Sequence, residues 1–545
     1  MGSGLWSSIG TALVGILFFH GYCFAEKAPY YSFVRDATMA PPAVYYDYII
    51  IGGGTAGCAL AATLSQGSVN VLLLERGGSP YGNPNISNIV GFASTLQDTS
   101  PSSASQPFVS TDGVFNHRGR VLGGTTALNI GFYTRASTAY VNQVGWDHKL
   151  VNESYEWVEK KMVFKPSVLQ FQSAVRDGLL EVGVLPDNGF TYDHLYGTKV
   201  SGTIFDQKGD RHTAADLLEY ADPRRITVYL NATVHQILFK KNGNQKPRAY
   251  GVLFRDGKGN KHIAKLNNGS MDEIILSAGA LGSPQLLMLS GIGPKEHLLA
   301  HGIKVVLNQP MVGQGMADNS MNALVIPSPR PVGVSLVQVV GIPWFDSYIE
   351  ANSFPNFSFS WLGDPTIQPV YPQAGLIVEK ITGPFSSGEL KLRTSDPNDN
   401  PDVTFNYFKD WRDLQRCVQG MKTIIKVVES KSFSEFRFAN QSVQDLINMM
   451  IDTPVNTRPR HANASSSLEQ FCIDTVMTIW HYHGGCQVGR VVDRDYRVLG
   501  VDALRVVDGS TFYDSPGTNP QATVLMLGRY VGERILDERF PNTRK

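Results

Sequence analysis

The chain is 545 residues long, 42% hydrophobic and 18% charged, and its 48 Lys plus Arg are balanced by 48 Asp plus Glu. That is an ordinary globular composition with room for two or more cores, and length alone suggests about three or four domains. No net field and no long run of one charge recruits nucleic acid or an acidic surface, so nucleic-acid binding is not expected.

The first element is a leader. Ile9 to Phe19 is an apolar stretch of signal-peptide length, followed by Cys23-Phe24-Ala25 and the charged Glu26-Lys27. It reads as a secretory signal, residues 1–25, cleaved after Ala25. The positive n-region is missing apart from the amino terminus, which leaves a short membrane anchor as the rival; the run falls short of the ~20 residues a bilayer needs. No later stretch is long and apolar enough to span. Seven Asn-x-Ser/Thr sequons, at Asn85, Asn152, Asn231, Asn268, Asn356, Asn440 and Asn463, agree with a secreted, extracellular protein. Without Cys23, Cys58, Cys417, Cys472 and Cys486 remain, and an oxidising compartment allows three pairings if all four are bridged. Cys58 reads instead as a small buried hydrophobe.

After an irregular, proline-bearing stretch the sequence reads DYIIIGGGTAG from Asp47 to Gly57. Tyr48 to Ile51 has the composition of a buried parallel strand. It runs into Gly52-x-Gly54-x-x-Gly57, then a small, helix-compatible stretch from Cys58 to Leu64, then a second apolar strand, Val69 to Leu74, ending in Glu75. Strand, glycine turn, helix, strand and acid in that order form a dinucleotide-binding unit. Glycine lets the backbone approach a pyrophosphate, the helix N-terminus faces it, and the acid meets a ribose hydroxyl.

Residues 79–111 are rich in Ser, Pro, Asn and Gly and read as a surface excursion or lid. Arg118 to Ser137 follows, where Gly123-Gly124-Thr125-Thr126 can aim N–H groups and hydroxyls at an anion or ring edge; taken alone it is equally a structural glycine loop. Trp146 to Val163 has helical spacing. Arg225 to Leu238 and Ala249 to Phe254 alternate as strands, with turns at Asn242-Gly243 and Asp256-Gly257. Glu273 to Leu276 is a further strand, and Ser283-Pro284 opens a helix that stops at Ser290-Gly291. From about Val325 to Phe405 prolines, aromatics and alternating runs such as Leu390-Lys391-Leu392 suit a separate antiparallel sheet with a ligand-facing surface. Trp411 to Val428 and Leu468 to Trp480 read as amphipathic helices, and Leu504 to Val507 as a strand before a closing helix.

Three separated segments resemble one family. The glycine unit near residue 50, Gly119 to Ala136, and GALGSPQLLMLSGIG from Gly279 to Gly293 are similar to successive signatures of the glucose–methanol–choline flavoprotein oxidoreductases. The resemblance runs from about Tyr46 to Ile535. Within the family, VSTDGVFNHRGRVLGG, GTIFDQKGDRHTAA, WHYHGGC and VVDGSTFYDSPGTNPQAT resemble the plant HOTHEAD and mandelonitrile lyase branch.

The family implies an α/β fold. A Rossmann-like FAD domain with a parallel sheet would comprise 44–314 and the returning part 476–540, and an α+β substrate domain with a mainly antiparallel sheet would comprise 315–475. It implies FAD rather than NAD. A monomer is expected. By matched position Gly52, Gly54 and Gly57 face the pyrophosphate, Glu75 the adenosine ribose and Val234 the adenine end. Gly124, Thr125 and Asn129 lie along the flavin, and Asp508, Gly509, Asn519, Pro520, Gln521 and Ala522 close over it. Thr55, Ala56, Arg76, Val121 and Trp480 complete the implied contacts. Cys417 and Cys472 match positions that form a disulfide in the mandelonitrile lyases; the alternative is two buried thiols.

Flavin-dependent alcohol oxidation needs a base within hydrogen-bond reach of the hydroxyl, with a pKa near the working pH, which favours histidine. His481 and His483 are the candidates. His481 stands five residues before Cys486, where family members carry a catalytic histidine, and His483 then supports or packs. A His-x-His pair also suggests a metal site, but no carboxylate or further histidine accompanies it at ligand spacing, so no metal is expected. Two hydrogen-bonded core histidines are the remaining reading. Opposite His481 most members place a second histidine or an asparagine; here it is Asn519, which donates a hydrogen bond but does not titrate. The lyase pattern has histidine there. Asn519 therefore favours alcohol oxidation, and the resemblance suggests long-chain ω-hydroxy acyl substrates. The rivals are a hydroxynitrile lyase with structural FAD and a non-catalytic flavin-binding surface protein.

Overall fold

A computed structural model describes residues 29, 31–241, 243, 245–359, 370–517 and 519–541. The expected signal peptide, 1–25, lies outside the described residues, as does Asn242 of the expected turn.

Six strands form a wholly parallel sheet in the order Val34–Asp36, Ile226–Leu230, Val71–Leu74, Tyr48–Ile51, Glu273–Leu276, Leu504–Val506. Tyr48–Ile51 and Val71–Leu74 are buried at every position, as strands covered on both faces must be. Each Ile or Leu removed from water there contributes roughly 1.5–3 kcal/mol. The Thr55–Ser65 helix follows the glycine turn and lies against Gln521–Arg539, so the two ends of the described chain share one layer.

A seven-stranded sheet stands apart from the first, in the order Met477–Thr478, Ser320–Pro327, Tyr371–Ile381, Ser347–Phe357, Val339–Ile342, Gly197–Val200, Asp187–Phe190. All its pairings are antiparallel except the last. Its centre is a long hairpin registered from Ser347 opposite Ile381 to Phe357 opposite Tyr371. Helices Gln170–Glu181 and Trp411–Glu429 cover its outer face. Trp411–Glu429 buries Cys417, Met421, Ile424 and Val428, a helical stripe facing the sheet, and Asp410 caps its start by accepting from the Arg412 N–H. Two of the strands, Asp187–Phe190 and Gly197–Val200, come from the 44–314 stretch and one, Met477–Thr478, from 476–540, so this sheet draws strands from three separated stretches of the chain.

The α/β architecture with one parallel and one mainly antiparallel sheet is as the sequence implied; several local elements differ. The helix expected to open at Ser283-Pro284 begins on the turn at Gly279, and Pro284 sits inside it. The helix expected from Leu468 to Trp480 ends at Asp474, and β-branched Thr475, Val476 and Thr478 lead into the Met477–Thr478 strand. Leu390 belongs to a separate three-stranded sheet. The 79–111 stretch carries the helices Pro84–Ser87 and Phe92–Gln97 and buries Ile86, Phe92 and Leu96. Among the described residues no helix is long and apolar enough to cross a membrane.

Candidate functional site

An elongated cavity follows the carboxyl edge of the parallel sheet, where Ile51, Leu74 and Ser277 end or follow their strands. This is where open α/β sheets hold ligands. Gly52, Gly54, Thr55, Ala56, Glu75, Arg76, Val121, Gly124, Thr125, Asn129 and Val234 line it from one side. Trp480, His481, Asp508, Gly509, Asn519, Pro520 and Gln521 line it from the other.

Two expected residues do not reach it. Gly57 lies against the turn: a Cβ there would sit 1.9 Å from the Gly52 carbonyl oxygen, so a glycine is needed for helix and turn to approach this closely. Ala522 is fully buried in the first turn of Gln521–Arg539 and packs instead of lining. Glu75 lies in the wall, where its Oε2 accepts from the Gly53 N–H (2.8 Å) and its Oε1 from the Gly77 N–H (2.7 Å). Burial pushes its carboxyl up from the ordinary value, against the pull of those donors and of Arg76. Asp508 spans two segments: Oδ2 accepts from the Gly279 N–H (2.9 Å) and Ser283 Oγ (2.5 Å), and Oδ1 from the Ser510 N–H (2.8 Å). Asn129 Nδ2 donates to Gln521 Oε1, which joins the stretch after the second glycine loop to the closing helix.

At the far end the chain turns sharply after Met477–Thr478. Trp480 has φ 64°, a left-handed conformation that a bulky residue adopts only when its surroundings impose it, and its N–H donates to Thr478 Oγ1 (2.8 Å). Paired backbone bonds between His483 and Ala317 fix the loop (2.8 and 3.0 Å). Within it His481 lines the cavity, and its Nδ1 has no hydrogen-bond partner among the described residues. Burial, then the nearby Lys380 cation, then His483, hold the His481 imidazole well below its ordinary 6.5, so it is neutral. His483 is buried and its Nδ1 lies 3.1 Å from the His481 carbonyl oxygen, the geometry of an Nδ1–H tautomer donating to it. Asn519 is buried and its Oδ1 accepts from Lys380 Nζ (3.1 Å). The cavity thus brings together a neutral imidazole able to take a proton and an amide able to donate a hydrogen bond. Among the described residues no cluster of His, Cys, Asp and Glu could hold a metal ion.

Comparison with known proteins decides the family. The GMC oxidoreductase family matches residues 46–321 with its N-terminal part and 384–528 with its C-terminal part. The chain belongs to the GMC oxidoreductases. It is 50% identical to Protein HOTHEAD of Arabidopsis thaliana, over 96% of this chain and 93% of that protein. It is 48% identical to an (R)-mandelonitrile lyase-like protein of the same plant, over 93% of each. Among solved structures, a formate oxidase of Aspergillus oryzae, studied for modification of its FAD, superposes with a TM-score of 0.76 over 92% of this chain and 100% of that one, at 19% identity.

FAD is the cofactor of this GMC oxidoreductase, and the cavity fits it. The two carboxylates in the wall, Glu75 and Asp508, have both oxygens engaged by donors of the chain itself. Against them stand two guanidinium groups, Arg76 and Arg118, with Arg118 buried and lining the cavity. Arg118 donates from Nε to Gln106 (3.0 Å) and from Nη1 to Gln285 (3.1 Å), while its Nη2 is buried without a hydrogen-bond partner. An unanswered buried cation beside glycine turns suits a diphosphate. Sequence reasoning missed Arg118 and Gln285. Arg118 lies in the NHRGRVLGG run, and its place a few residues before the Gly123–Thr126 loop was the available signal. It missed Lys380 and Glu350 as well, and for these the one-dimensional pattern carried none. The disulfide implied by the family is present: Cys417 and Cys472 are bonded with Cα atoms 6.4 Å apart, tying Trp411–Glu429 to Leu468–Asp474. Cys58 and Cys486 are buried free thiols, and Cys58 donates to the Gly53 carbonyl (3.1 Å).

Proposed function

We propose that this protein oxidises alcohols at a CH–OH group, as an FAD-dependent dehydrogenase or oxidase. Bound FAD supplies the hydride acceptor. The chain supplies the rest: His481 takes the hydroxyl proton and Asn519 donates a hydrogen bond to the same oxygen. The observation that carries the reading is the pairing of one neutral, half-buried imidazole whose Nδ1 is unengaged with a buried side chain that does not titrate. One proton acceptor is what alcohol oxidation requires. A cyanohydrin lyase with two cooperating imidazoles would need a histidine where Asn519 stands.

The substrate class we infer is long-chain ω-hydroxy acyl compounds, on the resemblance to the HOTHEAD branch. Anaerobic mixing of the purified yellow protein with alcohols of graded chain length tests both statements. Bleaching of the flavin, fastest for long chains and slowed by His481→Ala, is expected. A flavin left unbleached by every alcohol, with cyanohydrin cleaved, would establish the lyase instead.

We further propose that the protein is secreted and glycosylated. All seven sequon asparagines are exposed, which supports the reading, as does the Cys417–Cys472 bond. A mass shift on deglycosylation of protein recovered from the medium checks it.

A further inference from the structure

Behind Asn519, one of the residues lining the cavity opposite the glycine turns, lies a strand interior bearing charges. In the central hairpin Tyr348 pairs with Lys380 and Glu350 with Val378, so Tyr348, Glu350 and Lys380 share one face of the sheet. Glu379, the neighbour of Lys380, points to the opposite face, where Ser347 Oγ donates to it (3.0 Å). Lys380 and Glu350 are completely buried, with Nζ 2.6 Å from Glu350 Oε2. The Tyr348 ring lies 5.9 Å from the same ammonium. A second contact of that ammonium reaches Asn519 Oδ1 at 3.1 Å.

An ammonium has donors only, whereas an amide has one accepting and one donating end. Lys380 can therefore hold only the oxygen end of Asn519, which turns the N–H₂ away from the pair. A buried ion pair contributes little to stability against apolar residues of equal size, so its presence against a cavity-lining side chain calls for another reason.

We propose that the Lys380–Glu350 pair is a positioning device: it fixes Asn519 with its N–H₂ toward the substrate oxygen and makes position 519 a place where only an uncharged side chain is stable. The proposal rests on the alcohol-oxidation reading for the substrate oxygen, but not for the second clause. The charged and titratable groups facing His481 are Lys380, His483 and Asp318, whose carboxylate the His481 backbone meets and Tyr407 Oη donates to (2.5 Å). Those acting on Lys380 are Glu350 and His481 on its own side and Glu379 from the opposite face of the sheet. Lys380 is thus a cation that both acts on His481 and touches Asn519. With it present, a second imidazole at 519 would stay neutral and could not share proton transfer with His481.

Two measurements on the flavin-loaded full chain test this. In the first, Asn519→His is made alone and together with Lys380→Met/Glu350→Gln, which removes both charges so that neither is left unpaired. Histidine-selective NMR then follows the introduced imidazole with pH. It should remain neutral at least one pH unit below the ordinary histidine value when the pair is present, and titrate near that value when the pair is gone. Titration near the ordinary value in both backgrounds overturns the proposal, whether or not any alcohol is a substrate.

In the second, flavin reduction by the best alcohol is compared in Asn519→Ala, in Lys380→Met/Glu350→Gln and in their combination. Each should slow reduction ten- to a hundredfold, the combination no further than the worse of the two, and the acid limb of the Lys380→Met/Glu350→Gln profile should move to higher pH. Multiplying losses, or a lowered melting temperature with unchanged rate and pH profile, would mean the pair is merely structural. If no alcohol bleaches the parent flavin, the alcohol reading fails, and the imidazole titration still decides the positioning claim.

Discussion

The two walls of the cavity are built on opposite principles. The parallel-sheet wall presents mostly main chain: strand ends, glycine turns and helix starts, with its carboxylates turned onto the protein's own N–H groups. Behind the second wall, against Asn519, the seven-stranded sheet sets side chains from its strand interiors, charged and fully buried at Glu350 and Lys380. Main chain suits a ligand that is always the same, because peptide geometry is fixed by turn and register. Buried charge on a sheet face suits a reaction that needs one particular protonation state, at a cost in stability. Changes to the first wall should therefore abolish cofactor retention, and changes to the second should alter rate and pH dependence while the protein stays yellow.

The largest expected effect is at Gly57. Gly57→Val forces a branched side chain onto the Gly52 carbonyl, which even a Cβ would meet at 1.9 Å, and should cost about 4 kcal/mol or more. Flavin should be lost, read as the ratio of visible to ultraviolet absorbance; a yellow, stable variant would break the comparison on its cofactor side. Next comes His481→Ala. The flavin should stay bound and its reduction by alcohol slow by ~10²–10⁴-fold, the usual contribution of a general base. Stopped-flow reduction without oxygen measures it, and an undiminished rate would assign the proton to another group.

Third, replacing both Cys417 and Cys472 by alanine opens a loop of 55 residues behind the second wall. Stability in urea should fall by about 2–4 kcal/mol, with the flavin content of the folded fraction unchanged.

The smallest effect is one of pH. Because burial and Lys380 hold the folded His481 well below 6.5, its base form persists as pH falls through 6.5, and the acid limb of flavin reduction should lie below that value. The unfolded chain takes the proton first, so this group's contribution to stability is complete above 6.5 and is lost as pH falls toward the folded pKa. An acid limb at 6.5 or above would show that His481 is solvated like a free imidazole.

How far each wall could be read from sequence follows from the same contrast. The cofactor wall is local: Tyr48–Ile51, the glycines and Glu75 fall within one short βαβ unit, and strand, turn and acid each leave a compositional mark. Even so Gly57 does not line the cavity, because a fingerprint does not separate a glycine that touches ligand from one that lets a helix touch a turn. Lys380 and Glu350 were invisible for a different reason. In YIEAN one charge falls between apolar residues and in VEKIT two stand side by side, one to each face, a composition that reads as a strand in contact with water, and only the tertiary fold buries both faces. The helix read through to Trp480 overran because apolar spacing continued past Asp474 while β-branched residues had begun to favour a strand.

The bond from Asn129 to Gln521 joins residues 392 apart, and Asp508 reaches back 229 residues to Gly279. Closing loops of that size carries an entropic penalty that grows only slowly with length, yet it falls due before any of the contacts it permits exist. An isolated βαβ unit of this chain would hold half a grip on a nucleotide, with no clasp over the ring. Loading of the yellow group should then be tied to completion of the fold, and a chain interrupted anywhere before its closing helix should emerge colourless.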